Sequence, residues 1–482
     1  RFMSEGEFIE MTPHRPDKKS STDVDESTDT WDTIDWLVTN IPNNNGNVGI
    51  WGISYPGYYA AAGMIDAHPA LKAVSPQAPI SDLFMGDDCY HNGAFFLAAN
   101  FGFFTSFKER GPKPARPERR TGSFDFGTPD GYEFYLQLGP LENADKRYFK
   151  GRNPYWIDLL NHTTYDSFWQ SRNILPHLNN VPPAVMTVGG WFDAEDLRGP
   201  LAVFKTVEER NPGISNHLVM GPWVHGGWSR GEGDHLGAVQ FDADTSTFYQ
   251  DQIEFPFFDF HLNGKGHNSL PKAWVFETGT NRWRQFDAWP PDSAKGQELY
   301  LREGGQLASE SPSQSIAFDE YVSDPSKPVP FVGYTAQGMS REYMIADQRF
   351  AARRTDVLVY ETEPLQGDVI AAGPISVSLW VSTTGTDADF VVKLIDVYPP
   401  DYPNPDPNPK DVKMGSYQQL VRGEPFRAKF RNSFEYPEPM VPGELAKIEF
   451  EMPDICHAFR LGHRIMVQIQ SSWFPLVDRN PQ

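Results

Sequence analysis

The sequence predicts an α/β fold followed by a separate all-β domain. In the first part of the chain, short apolar runs such as residues 48–51 and 184–190 alternate with helical segments, a rhythm typical of a parallel sheet covered by helices. Beyond residues 263–266, short strand-like runs are separated by Gly, Pro, Asn and Asp, as in a β-sandwich. We therefore expect an α/β core at 1–96 and 182–265, an insertion at 97–181, and an all-β domain at 266–482.

Composition excludes several classes of partner. The chain has 482 residues and a formal charge of −22, which argues against nucleic acid or an anionic membrane surface as partner. Its apolar runs are shorter than the roughly 18 residues that span a bilayer. Cys89 and Cys456 are far apart, so they imply neither a disulfide framework nor a metal site.

The α/β elements follow from apolar spacing and from their caps. Periodicity and turn residues predict helices at 27–41, 55–65, 201–210 and 245–262, and strands at 48–51, 73–75, 184–190 and 217–220. The insertion begins with a phenylalanine-rich stretch at 95–107, continues as a Pro/Arg loop, and ends in aromatic helical segments near 177.

The all-β domain is predicted from short runs with strand periodicity. These runs are 274–276, 283–286, 357–360, 375–381, 390–397, 447–450 and 465–469. Residues 399–409, rich in Pro, Asp and Asn, are predicted to form a surface loop within this domain.

Residues 48–58 have the outline of a nucleophile elbow, a sharp strand-to-helix turn that exposes a serine hydroxyl. Gly52 stands two residues before Ser54, whereas Pro56 stands two residues after it and Gly57 three. The alternative is a strand, a serine N-cap and a helix. As an elbow, the segment predicts Ser54 as the nucleophile and the N–H of Tyr55 as an oxyanion donor.

A serine nucleophile needs a base and an orienting acid, which in a doubly wound hydrolase follow later strands in the order acid, then histidine. Asp193 and His225 each follow a predicted strand in that order. We expect Asp193 to orient His225, which takes the Ser54 proton; a turn cap and a loop histidine are the alternatives. His217 and His235 are weaker candidates for the base, since His217 opens a predicted strand and His235 lies within a glycine-rich loop.

A second group of residues is acidic. Glu195 and Asp196 follow Asp193, and the pair Asp87-Asp88 stands at the entry to the insertion. If these carboxylates converge beside the serine, a bound cation would relieve their repulsion. A substrate ammonium, Ca²⁺, or no ligand at all remain possible explanations, and spacing alone favours solvated turn residues.

These motifs together resemble the α-amino acid ester hydrolases, within the cocaine esterase and X-prolyl dipeptidyl peptidase family of serine hydrolases. The similarity covers essentially the whole chain and rests on motifs at residues 52–57, 85–95, 189–196 and 221–227. It implies an α/β-hydrolase core, an inserted helical cap and a C-terminal jelly roll. It also implies a triad of Ser54, Asp193 and His225 and an ammonium-binding cluster of Asp88, Glu195 and Asp196.

The resemblance also sets expectations about the ends of the chain and its setting. Family members carry further strands before the segment that corresponds to Arg1, including a tyrosine of the oxyanion hole, and they continue past Phe474. We therefore expect an α/β-hydrolase core without its N-terminal strands and a truncated C-terminal end. No cofactor or metal is expected, relatives suggest a homo-oligomer, and the resemblance suggests a periplasmic or secreted protein.

The function predicted is hydrolysis or transfer of acyl groups from α-amino acid esters and amides, including β-lactam antibiotics, through an acyl-enzyme. The substrate would be a small ester, an amide or a short peptide. The nearer alternatives are an X-Pro dipeptidyl peptidase and a cocaine-esterase-like enzyme. An alternative of another class is a saccharide- or partner-binding protein with an inactive hydrolase domain.

Overall fold

The computed structural model describes residues 3, 9–18, 20, 22–106, 113, 124–267, 270–313 and 317–480. The predicted Pro/Arg loop that follows residue 107 lies almost entirely outside these residues. The parallel sheet and the β-rich C-terminal part predicted from the sequence are both present, so the predicted fold class is confirmed.

The N-terminal half begins with a helix and the first α/β elements and continues into the aromatic insertion. Its elements are α1 Glu26–Asn40, β1 Val48–Ile53, α2 Tyr55–Gly63, β2 Leu71–Gln77, β3 Tyr90–His91, β4 Ala94–Phe95, α3 Leu97–Ser106, α4 Gly131–Leu138, α5 Glu142–Ala144, α6 Pro154–Asn161 and α7 Ser167–Gln170. The α/β pattern then resumes with β5 Ala184–Gly190, α8 Arg198–Arg210, β6 Asn216–Gly221, β7 His235–Leu236, β8 Val239–Gln240, α9 Thr245–Tyr249, α10 Phe255–Asn263, β9 Ala273–Glu277 and β10 Arg282–Phe286.

One six-stranded sheet carries the α/β part, in the order β1-β2-β5-β6-β9-β10. Neighbouring strands from β1 to β9 are parallel, and β10 is antiparallel to β9. Since the carboxyl ends of parallel strands meet at one edge, the segments after β1, β5 and β6 share that edge. The sequence assigned β9 and β10 to the all-β domain, but both extend this sheet, because strand periodicity alone does not identify a strand's partner.

Helix α2 packs closely on the sheet because its buried face is made of small residues. Ala60, Ala61 and Ala62 are all buried, and they bring the helix backbone close to β1 and β2. This close packing fixes the turn between β1 and α2 against the sheet, which is the turn that carries Ser54.

The insertion packs around an aromatic core. Phe101, Trp156 and Trp169 are buried in it together with Phe430 and Phe474 from the C-terminal part of the chain. Burial of large aromatic side chains supplies most of the packing energy that a short set of helices needs. The helical insertion is therefore packed against the β-rich part as well as against its own residues.

The C-terminal part is built from two sheets. Its elements are β11 Tyr300–Arg302, β12 Gln306–Ala308, α11 Arg349–Ala352, β13 Val357–Glu361, β14 Val369–Val381, β15 Asp389–Val397, β16 Gln418–Arg427, β17 Ala446–Phe459 and β18 Arg464–Gln470. The larger sheet has the order β11-β12-β13-β18-β15-β16, and β14 pairs with β17.

Strand β15 is buried along its whole length. Val392 and Leu394 face the interior between the two sheets. Val391 and Ile395, on the opposite face, belong to the same core as Trp191 of the α/β part. Burial of both faces shows that the larger sheet packs directly against the α/β core, near the carboxyl edge where β5 ends.

Candidate active site

The turn after β1 holds Ser54 in a conformation that side chains rarely adopt. Its φ is +68° and its ψ −127°, outside the helical and extended regions of residues with a Cβ. A Cβ on Gly52 would lie 2.4 Å from the carbonyl oxygen of Pro56, and one on Gly57 would lie 2.4 Å from that of Gln77. Both glycines are therefore required by close backbone approach, which explains why the second stands three residues after Ser54 rather than two.

The loops after β5 and β6 bring Asp193 and His225 together. His225 Nδ1 lies 2.9 Å from Asp193 Oδ2 and 3.0 Å from Oδ1. Because an ionised carboxylate only accepts hydrogen bonds, this contact places a proton on Nδ1 and leaves Nε2 available as a base. Asp193 Oδ1 also accepts the backbone N–H groups of Glu195 and Asp196, so the carboxylate is held at the start of its own loop.

The serine turn and the histidine turn are neighbours in space. A Cβ on Gly226 would lie 3.4 Å from Ile53 Cγ2, so the residue after His225 contacts the residue before Ser54. The competing histidines are engaged elsewhere. His217 Nδ1 lies 2.8 Å from the carbonyl oxygen of Pro271, and His235, exposed in the short strand β7, pairs with the adjacent Asp234.

The environment of His225 favours its protonated form. Burial lowers the pKa of the ring, but the charge and hydrogen bond of Asp193, with smaller contributions from Glu195 and Asp88, outweigh burial and raise it to about 9. Glu195 Oε2 lies 3.7 Å from His225 Nε2, and Asp196 Oδ2 lies 3.8 Å from Nδ1. The imidazole is thus surrounded by carboxylates.

Asp88, Glu195 and Asp196 converge beside His225. The backbone N–H of Asp88 donates to the carbonyl oxygen of Glu195 at 3.1 Å, which joins the two acidic loops directly. Asp196 is fully buried, and neither of its carboxylate oxygens has a hydrogen-bond partner among the described residues. Burial, followed by the charge of Asp88, raises the pKa of Asp196 well above its usual value.

The other two acids are affected in the same direction. Burial, followed by the charge of Glu195, raises the pKa of Asp88 well above its usual value, although His225 opposes this. Burial also raises the pKa of Glu195, against the lowering effects of His225, Arg341 and Arg230. The cluster is therefore a site of concentrated negative charge that a cation would stabilise.

Asp87 has a different environment from Asp88. It is fully buried, and Oδ2 accepts from Ser81 N, Ser81 Oγ and Asp82 N, while Oδ1 accepts from Gly199 N. These donors satisfy the carboxylate and tie the Asp87 loop to the start of α8. Of the two neighbouring acids, Asp88 is the one that faces the cluster.

Tyr55 stands at the first position of α2. The N–H groups of the first helical turn have no intrahelical acceptor, so the Tyr55 amide is available at a helix N-terminus, beside Ser54. Its phenol oxygen accepts from the N–H of Met11 at 2.8 Å, which links the N-terminal segment to the turn.

Sequence reasoning missed three arginines near the cluster. The Arg230 guanidinium carbon would lie 3.9 Å from a Cβ on Gly226, and Arg341 acts electrostatically on Glu195 from the C-terminal part. Buried Arg422 donates to the carbonyl oxygen of Trp191, two residues before Asp193. No local pattern marks these residues, because each reaches the site only through tertiary packing.

Within the described ranges, no three His, Cys, Asp or Glu side chains are grouped so that they could hold a metal ion. Of the helices in the described part of the chain, none has the length and apolar character to cross a bilayer.

A parallel sheet with a serine at a strained strand-to-helix turn, and an acid–histidine pair after later strands of that sheet, defines a serine hydrolase of the α/β-hydrolase class. Comparison with known families agrees. The family model "X-Pro dipeptidyl-peptidase (S15 family)" matches residues 1–227, and "X-Pro dipeptidyl-peptidase C-terminal non-catalytic domain" matches residues 265–482. The chain belongs to the cocaine esterase and X-Pro dipeptidyl peptidase family of serine hydrolases.

Individual relatives support this assignment. Cocaine esterase from Rhodococcus sp. (strain MB1 Bresler) is 30% identical over 508 residues, covering 99% of this chain and 80% of its own. The crystal structure of an aminopeptidase from the marine sediment archaeon Thaumarchaeota archaeon has a TM-score of 0.89 at 40% identity, covering 99% of this chain and 77% of its own. A selenomethionine-labelled α-amino acid ester hydrolase has a TM-score of 0.88 at 38% identity, covering 99% and 78%.

Proposed function

We propose that this serine hydrolase cleaves α-amino acid esters and amides, including β-lactam antibiotics with an α-amino acyl side chain. In this proposal Ser54 is the nucleophile, His225 is the general base and Asp193 orients His225. Asp88, Glu195 and Asp196 bind the α-ammonium of the substrate. The resemblance of the chain to an α-amino acid ester hydrolase supports this choice of substrate.

The observation that carries the proposal is the buried carboxylate of Asp196, neither oxygen of which has a hydrogen-bond partner in the described part of the chain. Burying an ionised group without a partner is costly, and proteins retain such groups mainly where a ligand completes the site. Asp88 and Glu195 contribute further negative charge at the same place. An ammonium group carries a positive charge and three N–H donors, so it would neutralise the negative charge and donate the missing hydrogen bonds.

The reaction follows from the arrangement of these groups. His225 Nε2 accepts the Ser54 proton as Oγ attacks the acyl carbon, and Asp193 stabilises the imidazolium that forms. The developing oxyanion accepts a hydrogen bond from the Tyr55 amide. His225 then protonates the leaving group, and an acyl-enzyme on Ser54 remains. Water, activated by His225 in the same way, or an acceptor amine releases the acyl group.

Substrate binding also acts on the base. In the free enzyme the surrounding carboxylates keep the pKa of His225 at about 9, so most of the imidazole is protonated at neutral pH. An ammonium bound among Asp88, Glu195 and Asp196 opposes their field, which lowers the pKa of His225 and frees Nε2 to accept a proton.

A substrate pair tests the proposal. Phenylglycine methyl ester and its des-amino analogue, phenylacetic acid methyl ester, differ by the α-ammonium alone. We expect wild type to prefer the amino ester and Asp196→Asn to reduce that preference roughly 10- to 100-fold, because a hydrogen bond to a charged group contributes about 1.5–3 kcal/mol. Asp35→Asn, an exposed change on α1, is the matched control. Equal turnover of the two esters by wild type would refute ammonium recognition.

A second candidate is an aminopeptidase or X-Pro dipeptidyl peptidase. It is favoured by the 40% identity to a protein described as an aminopeptidase and by the family assignment. The same carboxylates would then bind the N-terminal ammonium of a short peptide. Phenylglycine amide, free dipeptides and X-Pro p-nitroanilides distinguish the candidates, since a peptidase would turn over the peptide bonds at rates comparable to the ester.

A further inference from the structure

One strand of the C-terminal part contacts both acidic loops of the candidate site. This is β16, one of the two edge strands of the larger sheet. Arg422 on β16 is buried, and its Nη1 donates to the carbonyl oxygen of Trp191 at 3.0 Å. Its Nη2 donates to the carbonyl oxygen of Asp454 on β17, also at 3.0 Å. Arg422 therefore joins the sandwich to the loop that begins two residues before Asp193.

Glu424, also on β16, contacts the other acidic loop. Its Oε1 lies 2.8 Å from His91 Nδ1 and accepts from Asn92 Nδ2 at 3.4 Å. The Asn92 amide also donates to the carbonyl oxygen of Pro425 at 3.1 Å, and the N–H of Arg427 donates to the carbonyl oxygen of Asn92 at 3.1 Å. The segment that begins three residues after Asp88 is thus hydrogen-bonded along β16.

Arg422 and Glu424, the two anchors of the acidic loops, are held at a fixed spacing by their strand. Arg422 and Glu424 are two residues apart on one strand, so their side chains leave the same face, roughly 7 Å apart along the strand. The loops that they hold are joined to each other by the hydrogen bond from Asp88 N to Glu195 O. A displacement of either anchor would change the distance between Asp88 and the Glu195–Asp196 pair.

We propose that β16 is a positioning strand for the ammonium pocket, in which Arg422 and Glu424 hold the two acidic loops together against their mutual repulsion. Three carboxylates packed beside one another repel when ionised, so the loops need an external restraint to stay close before substrate binds. The inference rests on the proposed function, since it assigns selectivity for α-ammonium substrates to a domain whose family description is non-catalytic.

Arg422 suits this role for a physical reason. Its planar guanidinium presents several N–H donors in a fixed geometry, so one side chain joins two backbone carbonyls of different segments. A lysine offers one flexible ammonium and would not hold both Trp191 and Asp454. Arg422→Lys should therefore keep the buried charge while loosening the loop, and Asn92→Ala should loosen the other loop without changing any charge.

The experiment measures the ratio of kcat/KM for phenylglycine methyl ester to that for phenylacetic acid methyl ester in the full chain. For Arg422→Lys and for Asn92→Ala we expect the ratio to fall by roughly 10-fold, because a misplacement of about 1 Å can cost up to about 10²-fold. The loss should lie in KM of the amino ester. For Asn92→Ala, which leaves the Asp193 loop untouched, kcat/KM for the des-amino ester should stay within about twofold of wild type, whereas Arg422→Lys should slow both esters and the amino ester more. Ile448→Ala, in the sandwich interior, is the control for destabilisation alone and should leave the ratio unchanged.

Thermal unfolding and fluorophosphonate labelling of Ser54 show which variants are folded, and Asn92→Ala decides the question if Arg422→Lys does not fold. Parallel loss on both esters, or an unchanged ratio in a folded variant, overturns the positioning role while leaving ammonium recognition intact. A wild-type enzyme that shows no preference for the amino ester overturns the proposed function, and the positioning role with it.

Discussion

The backbone N–H of Asp88 donates to the backbone carbonyl oxygen of Glu195, with 3.1 Å between the two atoms. This hydrogen bond joins two loops that are more than a hundred residues apart in the chain and that both carry acids. It keeps the Asp88 carboxylate within the field of Glu195 and Asp196, and the pKa of each of the three acids is raised. Keeping three acids close together in this way lowers the stability of the unliganded protein.

Asp196→Asn is expected to stabilise the free protein. A carboxyl group whose folded pKa lies above its unfolded pKa contributes stability below the unfolded pKa and loses it as pH rises through the folded pKa. At pH 8, far above the unfolded pKa, the carboxyl group of Asp196 therefore destabilises the native state, and an amide that does not titrate removes that effect. We expect the free energy of unfolding in urea at pH 8 to rise by about 1 kcal/mol or more, since one unit of pKa corresponds to about 1.4 kcal/mol.

Asp87→Asn is the matched comparison because Asp87 is equally buried but hydrogen-bonded through both oxygens. Its replacement should destabilise the protein by about 1–3 kcal/mol, as a buried hydrogen-bonding group loses its partners. If Asp196→Asn destabilised the protein as much as Asp87→Asn, Asp196 would be a structural residue and not a ligand for substrate.

The pH dependence of ester hydrolysis should depend on the α-ammonium. With the des-amino ester, kcat should rise with pH with a midpoint near 9, where half of the His225 imidazole has lost its proton. With the amino ester the bound ammonium opposes the neighbouring carboxylates, so the midpoint of the kcat profile should lie at lower pH. Stopped-flow or pH-stat measurements of kcat from pH 6 to 10 give both midpoints. If the two midpoints coincided, the bound ammonium would have no effect on the pKa of His225.

Gly57→Ala should abolish reaction at Ser54. The added Cβ would lie 2.4 Å from the carbonyl oxygen of Gln77, and because that atom is backbone, α2 would have to move away from the sheet. We expect loss of fluorophosphonate labelling together with a lower melting temperature. Gly102→Ala in α3 is the control: its Cβ would meet nothing within 4 Å, and alanine in place of glycine favours a helix by about 0.5–1 kcal/mol. A Gly57→Ala variant labelled as fast as wild type would contradict the proposed elbow.

The sequence predicted the α/β core well because its elements are locally encoded. Residues 184–190 form a strand as predicted, and the helix predicted at 27–41 is Glu26–Asn40, with Asp25 as its cap. The assignment of β9 and β10 differed because their sheet is chosen by pairing with β6, and not by local periodicity. The helix predicted at 245–262 is a continuous run to Asn263 with a π-helical turn at Gln250–Glu254, which hydrophobic spacing does not reveal.

Most candidate residues of the site were visible in the sequence, but their supporting contacts were not. Asp193 and His225 follow strand ends, so order along the chain was enough to pair them. Asp87 and Asp88 are adjacent in the sequence, and the N–H and O–H donors of Ser81, Asp82 and Gly199, which bind Asp87, distinguish the two. Arg422 has no signal in the sequence, because a buried arginine that donates to two carbonyls looks like any strand arginine until the domains are packed.

Lys393, on β15, should make the stability of the protein increase with pH in the alkaline range. Its side chain is fully buried, Nζ donates to Gln348 Oε1 at 3.0 Å, and the centroid of the Trp473 ring lies 5.3 Å from Nζ. Burial lowers the pKa of Lys393 to about 7. Because the unfolded chain then binds the proton more tightly than the native state, this lysine contributes stability that increases as pH rises from about 7 to 10.

Lys393→Met isolates this effect, since methionine matches the lysine side chain as far as Cε and does not titrate. The free energy of unfolding of wild type minus that of Lys393→Met, measured in urea at intervals from pH 7 to 10, should become more positive by about 2 kcal/mol or more, because each unit of pKa corresponds to about 1.4 kcal/mol. Lys447→Met, which replaces a partly exposed lysine on β17, controls for the loss of a charge. A difference that stays constant over this pH range would show that Lys393 is charged in the native protein, held by the Trp473 ring and the Gln348 oxygen.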